Sequence, residues 1–327
     1  MLSIARPGPL AAVAIGLALA APLAAQPSGP DGNLPLPAPE IERRLRDDPF
    51  TITAVKETTG GIMTTYKLTL VFADGQRIDA KWKAAADGGE GWNNSPRREL
   101  AAYRVQQLYL DPDDYLVPPS VVRCIPLDDY RAIDPDAVPN LPHAKCVYGT
   151  LSAWLDNVHQ PEETWTPERF KQDSRFAYHF ANLNILTYLI AHRDRRRANF
   201  LLADDPVNPQ MFSIDNGIIL GGEVYNFFNW HFDQLVVDSL PARSVERLRR
   251  VTQADLATLA VLAELQPDLE GVLGPAWKQS AVADPTQGQR AVGEGIQIGL
   301  TSDELADISG RLRKLLEMVD KGEEKTF

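Results

Sequence analysis

The stretch from His192 to Gly217 constrains this chain more than any other. It places Asp194 and Asn199 five residues apart, directly before the apolar run 200–202. Asp204, Asp205, Pro206, Asn208 and Pro209 then supply turn chemistry. A second short run, 211–214, delivers Asp215, and Asn216 and Gly217 permit a sharp exit. The pattern predicts a β-hairpin presenting three oxygen-bearing side chains at one mouth. Hard cations such as Mg²⁺ or Mn²⁺ favour such oxygens and keep other positions for phosphates and water. An Asp that positions a hydroxyl, followed by an Asn and a second Asp on metal, is equipment for phosphoryl transfer. Asp and Asn at strand ends also serve simply as turn formers, and H-x-D-x-x-x-x-N arises by chance. The second Asp, after a hairpin of suitable size, favours the site reading.

The chain has 327 residues, 44% hydrophobic and 24% charged, enough for one bilobal domain or two ordinary ones. Its first 25 residues read as a secretory signal peptide. Arg6 precedes an apolar run at 10–19, and small residues at Ala24 and Ala25 mark the cleavage site. The run falls short of the roughly 20 apolar residues that span a bilayer. The chain is therefore expected to be exported, to the periplasm or outside the cell, with no transmembrane span in its mature form. Export lets the two cysteines, Cys124 and Cys146, pair across adjacent strands; two buried thiols are the alternative. A net charge of −11 argues against a nucleic-acid partner, because phosphate backbones demand basic surface.

Residues 26–49, rich in Pro, Gly and Asp, read as a disordered linker with at most one helical turn. Strands are expected at 51–55, 66–72 and 77–83, with Gly60 and Gly61 in the first connection and Asp74-Gly75 in the second. The Gly60-Gly61 loop could cover phosphates with backbone N–H groups or be an ordinary turn. In the third strand Ile78, Ala80 and Trp82 face one way, and Lys81 and Lys83 the other. Ser95 and Pro96 open a helix to about Leu110. Glu99 lies in its first turn, where the helix dipole favours an acid and where it could also hold a strand lysine. Gly149 reads as a hinge between a strand-rich part and a helical one. Helical spacing follows at 151–158 and 167–191, at 245–251, at 256–265 with Thr252 as cap, and at 303–319. Residues 281–297 read as a mobile loop, and the aromatic run 225–232 as core.

Taken in order, these pieces resemble a protein-kinase-like fold. The closer resemblance is to the atypical group containing the secretory-pathway Golgi casein kinase family, the phosphatidylinositol 3-/4-kinases and the HipA-like kinases. Glu99-Leu-Ala-Ala-Tyr103 resembles the secretory kinases' helix motif, and Tyr115-Leu-Val-Pro-Pro119 their next strand. Asp194-Arg-Arg-Arg-Ala-Asn199 and Ile214-Asp215-Asn-Gly217 are similar to the lipid kinases' D-R-x-x-x-N and I-D-x-G signatures. The resemblance covers about residues 50–220 and implies an α+β, bilobal fold. Its N-lobe (50–148) would be an antiparallel sheet with one helix, and its C-lobe (149–327) mostly helical.

Carried over residue by residue, the resemblance makes Asp194 the catalytic Asp that orients the acceptor hydroxyl and takes its proton. Asn199 and Asp215 would hold Mg or Mn, and Lys83, fixed by Glu99, would hold the phosphates of ATP. Ala80-Lys-Trp-Lys83 matches the families' A-x-[aromatic]-K pattern, and Lys81 is the alternative lysine. Two departures stand out: the secretory kinases carry an acid where Asn199 stands, and the lipid kinases a His where Arg196 stands. The implied activity is transfer of the ATP γ-phosphoryl group to a protein or glycan hydroxyl. A pseudokinase acting as a nucleotide-binding or scaffold module, and an adenylyl transferase, are the alternatives.

Overall fold

The computed structural model describes residues 32–58, 64–91, 94–162, 166–220 and 235–327. The expected leader at 1–25, Gly60, Gly61 and the aromatic run 225–232 lie outside the described residues.

The described part of the segment read as a linker, 32–49, instead contains helix α1 (Ala38–Asp47). Pro39 suits its first turn, and Ile41 and Leu45, one turn apart, are fully buried. Burying such a side chain stabilises by about 1.5–3 kcal/mol. Two apolar residues among arginines and prolines are too sparse a stripe to be read as a helix from sequence. Just before it, Asn33 Nδ2 donates to the carbonyls of Asp156 (2.9 Å) and Asn157 (3.1 Å), and Asp156 N–H donates back to Asn33 (3.1 Å).

Next come β1 (Phe50–Glu57), β2 (Tyr66–Phe72), β3 (Arg77–Ala84), helix α2 (Pro96–Gln106), β4 (Ser120–Pro126), helix α3 (Leu127–Tyr130) and β5 (Cys146–Ala153). The five strands form one antiparallel sheet in the order β1-β2-β3-β5-β4. Strand alternation sends Ile78, Ala80 and Trp82 into a core shared with α1 and α3, where Trp82 Nε1 donates to Tyr130 Oη at 3.2 Å. The opposite face, with Lys81 and Lys83, meets α2. Cys124 and Cys146 form a disulfide between β4 and β5.

Gly149 is not a hinge. It sits inside β5, opposite Ala84, where a Cβ would lie 2.5 Å from the Lys83 carbonyl oxygen and 2.8 Å from the Trp82 ring. Glycine is needed there for close approach, not for bending. β5 runs unbroken to Ala153, so residues 151–153 are strand rather than helix and the chain leaves the sheet only after them.

Behind the front sheet lie β6 (Val158–His159), α4 (Pro167–Gln172) and α5 (Ser174–Leu189). The single helix expected over 167–191 is broken at Asp173, whose carboxylate caps α5 by accepting from the N–H groups of Arg175 and Phe176. β7 (Phe200–Ala203) and β8 (Met211–Ser213) make the expected hairpin, and β7 also pairs with β6. Then follow β9 (Ser239–Leu240), α6 (Ala242–Arg250), α7 (Gln253–Ala257), β10 (Ala263–Pro267), β11 (Leu273–Pro275), β12 (Gln289–Val292), β13 (Gly295–Ile298), α8 (Ser302–Asp320) and β14 (Lys325–Thr326). Thr252 does cap α7, but that helix is short and strand β10 replaces its expected continuation. The expected mobile loop at 281–297 contains the hairpin β12–β13 of a four-stranded sheet, order β11-β10-β13-β12. One apolar core joins α2, α5, α6 and α8. Among the described residues no helix is long and apolar enough to cross a membrane.

Candidate active site

α5 ends at Leu189, and the chain turns through Ala191, whose φ of 45° is left-handed. His192 N–H donates to the Thr187 carbonyl (2.9 Å), and the imidazole is fully buried with no hydrogen-bond partner on either nitrogen among the described residues. Burial pushes its pKa down to about 4. Arg193 N–H donates to the Ile218 carbonyl (3.2 Å), so this turn is tied to the segment after Asp215. Asn199 Nδ2 donates both to the Asp194 carbonyl (2.9 Å) and to Asp194 Oδ2 (2.8 Å). Asp194 Oδ1 accepts from Arg196 Nε at 2.9 Å, and the Arg196 side chain is otherwise exposed.

Asp215 follows β8 with a φ of 58°, a left-handed conformation that costs a non-glycine residue energy and recurs at functional sites. That turn carries its carboxylate across to the front sheet, where Lys83 Nζ donates to Asp215 Oδ1 (2.8 Å) and to Glu99 Oε1 (3.3 Å). Glu99 Oε2 accepts from the Asn216 N–H at 2.8 Å. Burial works against the Lys83 ammonium, yet attraction to Glu99 and Asp215 outweighs it and holds its pKa above the ordinary lysine value. Burial likewise works against ionised Asp215, and the positive charges of Lys83 and then Lys81 hold it ionised.

Lys83, Glu99 and Asp215 therefore meet directly, and Asp194 and Asn199 meet each other. The two groups are joined by backbone, Ile214 N–H donating to the Asn199 carbonyl at 2.9 Å. A cavity of about 460 Å³ opens on the first group. The front sheet lines it with Lys81, Thr150 and Ser152, the connection 154–157 walls it, and Leu201 and Ile214 close the other side.

By sequence, no protein-family model and no curated protein matches the chain. Among solved structures, that of hydra Fam20 with sugar aligns at a TM-score of 0.53 with 16% identity, over 87% of this chain and 88% of that one. The fold is an atypical protein-kinase-like fold. Two Golgi casein kinase structures, one of them with Mn/ADP bound, align at TM-scores of 0.47 and 0.48, with 12% and 14% identity, over 86% of this chain and 75% of theirs.

Within this kinase-like fold, the donor set suits a cation only partly held by protein. No group of three His, Cys, Asp or Glu side chains forms a metal cluster among the described residues. Asp215 offers a carboxylate and Asn199 an amide oxygen, donors of the kind that could hold an ion taking its remaining ligands from phosphates and water, as Mg²⁺ does. Asn199 uses its nitrogen on Asp194, which leaves the oxygen for such an ion. Sequence reasoning read Asn216 only as part of a turn and missed its backbone hold on Glu99, which needs the tertiary approach of α2. It also missed Arg97, whose Nη1 meets Glu304 at 2.7 Å and whose Nε meets Glu90 at 2.6 Å. Glu304 lies 207 residues further along the chain, so no local signal could pair them.

Proposed function

We propose that this protein is a metal-assisted phosphotransferase that moves the γ-phosphoryl group of ATP to a hydroxyl of a protein or glycan. One observation carries the reading: a buried lysine of the front sheet is held between a helix glutamate and an aspartate of the back hairpin, at the wall of a nucleotide-sized cavity. Burying the Lys83 and Glu99 charges, with Asp215 half-buried beside them, gains little for stability alone, since desolvation offsets their attraction. A lysine held in place for phosphate oxygens explains the arrangement.

In this reading Lys83 binds the phosphates and Glu99 keeps its ammonium from swinging away. Asp215 and Asn199 would hold Mg²⁺ or Mn²⁺, which supplies charge neutralisation at the phosphate oxygens. Asp194, oriented by Asn199, accepts a hydrogen bond from the acceptor hydroxyl and takes its proton. Arg196, exposed beside Asp194, suits an anionic group on the nucleotide or the acceptor. The sugar in the hydra Fam20 structure makes glycans an acceptor class to test alongside proteins. The disulfide supports an exported protein working in an oxidising compartment.

The test is incubation with γ-labelled or α-labelled ATP and Mn²⁺ or Mg²⁺, offering protein and glycan acceptors. Label from the γ-position, absent in Asp194→Ala, supports the proposal. Label from the α-position would make the protein an adenylyl transferase. Nucleotide binding without transfer of either label would make it a binding module.

A further inference from the structure

The cleft wall holds a second cation that the site as described does not use. Lys81 precedes Lys83 by two residues on β3, so its side chain emerges on the same face, about 6.6 Å along the strand. It stands opposite Ser152 of β5, whereas Lys83 stands opposite Thr150, which puts Lys81 on the side of the connection 154–157. Lys81 is half-buried and lines the cavity.

Its charge is drawn towards Asp215, but no protein group among the described residues is bonded to it. Across the ladder it faces Lys67 of β2, and like charges directly opposite destabilise a sheet. Lys67 is compensated, with Asp79 at 2.9 Å and the Trp154 ring centroid at 4.6 Å. Lys81 makes no hydrogen bond or ion pair among the described residues. The cavity's carboxylates are bonded elsewhere or exposed: Glu99 and Asp215 accept from Lys83, and Asp156 is exposed to solvent. A half-buried ammonium beside a like charge, facing into a cavity, is what an anionic ligand would compensate.

We propose that Lys81 is a second phosphate-binding residue, meeting the oxygens of a bound nucleoside di- or triphosphate on the connection side of Lys83. This rests on reading the cleft as a nucleotide site. It adds that the phosphate chain is gripped by two lysines of one strand, only one of which is tied to protein carboxylates.

The experiment is calorimetric titration of the full chain with ATP, ADP, AMP and adenosine, for the parent, Lys81→Gln and Lys81→Arg, at low and high salt. Loss of one charge-assisted contact should weaken ATP and ADP by about tenfold in Lys81→Gln. Adenosine should bind as in the parent, Lys81→Arg should keep most of the affinity, and the ATP difference should shrink in salt. Equal affinity of Lys81→Gln and parent for ATP overturns the proposal. An equal loss for adenosine and ATP also overturns it, assigning Lys81 to the base or ribose. If the parent binds none of the four ligands, the nucleotide reading of the cleft fails first and takes this inference with it.

Discussion

Helix α2 carries two buried ion clusters two residues apart, and they differ in what they face. At Glu99, Lys83 is held between two carboxylates, one from α2 and one from Asp215, and the cluster opens on a cavity. At Arg97, a guanidinium is held between Glu90 and Glu304 at the start of α8. No space remains beside Arg97, since a Cβ at Gly288 would lie 2.1 Å from its Nε. The ingredients match, but the cation of one cluster is sealed by the backbone at Gly288 and the other cluster opens on a cavity. The sealed cluster anchors the start of α2 to α8. The far end is anchored to α1, where Glu42 accepts from Tyr103 Oη (2.9 Å) and pairs with Arg104 (2.8 Å). A helix fixed at both ends keeps Glu99 where Lys83 needs it.

The largest expected effect lies in the open cluster. Asp215→Asn should lower phosphotransfer by about 10²–10³-fold and remove metal-dependent nucleotide binding, with a much smaller effect on thermal unfolding. Retained metal-dependent binding would break the distinction, because Asp215 would then be as structural as Glu304. The sealed cluster should behave oppositely. Arg97→Ala leaves Glu304 buried and unpaired, so urea unfolding should show a loss of about 3–5 kcal/mol. Arg97→Met combined with Glu304→Met should recover most of that.

A smaller effect comes from pH. The folded pKa of His192, about 4, lies below its ordinary 6.5, so the fold favours the neutral ring. Its contribution is complete above pH 6.5 and is lost as pH falls towards 4, on the order of 3 kcal/mol in all. His192→Phe should flatten that part of the stability profile, read by denaturant titration between pH 7.5 and 4.5. Smallest is Thr301→Ala, which removes the capping box at the start of α8. It should cost about 1 kcal/mol and, because Glu304 is the partner residue in that box, should loosen the Arg97 cluster before the Lys83 cluster.

The same contrast explains what could be read from sequence. Asp194, Asn199 and Asp215 were legible as candidates from a hairpin of fixed size, and Glu99 from a first helical turn. Strand parity left Lys81 and Lys83 equal, and the resemblance to the kinase families chose Lys83. The sheet at 263–298 was not. Its strands are three to five residues long, and their buried positions include Glu264, Arg290 and Gln297. Those polar groups are satisfied by distant partners: Arg290 donates to the carbonyls of Ala260 and Leu300, and Glu264 accepts from Ser280 and Gln297. An apolar-periodicity reading sees only a polar, glycine-containing stretch there. Gly149 misled for a related reason. Glycine marks bends and close approaches alike, and only the neighbouring strand distinguishes them.

The stretch from Asn33 to Asp47 is a splint between the front sheet and the connection 154–157, gripping the backbone of Asp156 and Asn157 at one end and seated on the sheet at the other. A chain trimmed to begin at Phe50 would keep all five candidate site residues yet lose both of those attachments. Weak nucleotide affinity in such a shortened protein would therefore count against the missing splint, not against Lys83 or Asp215.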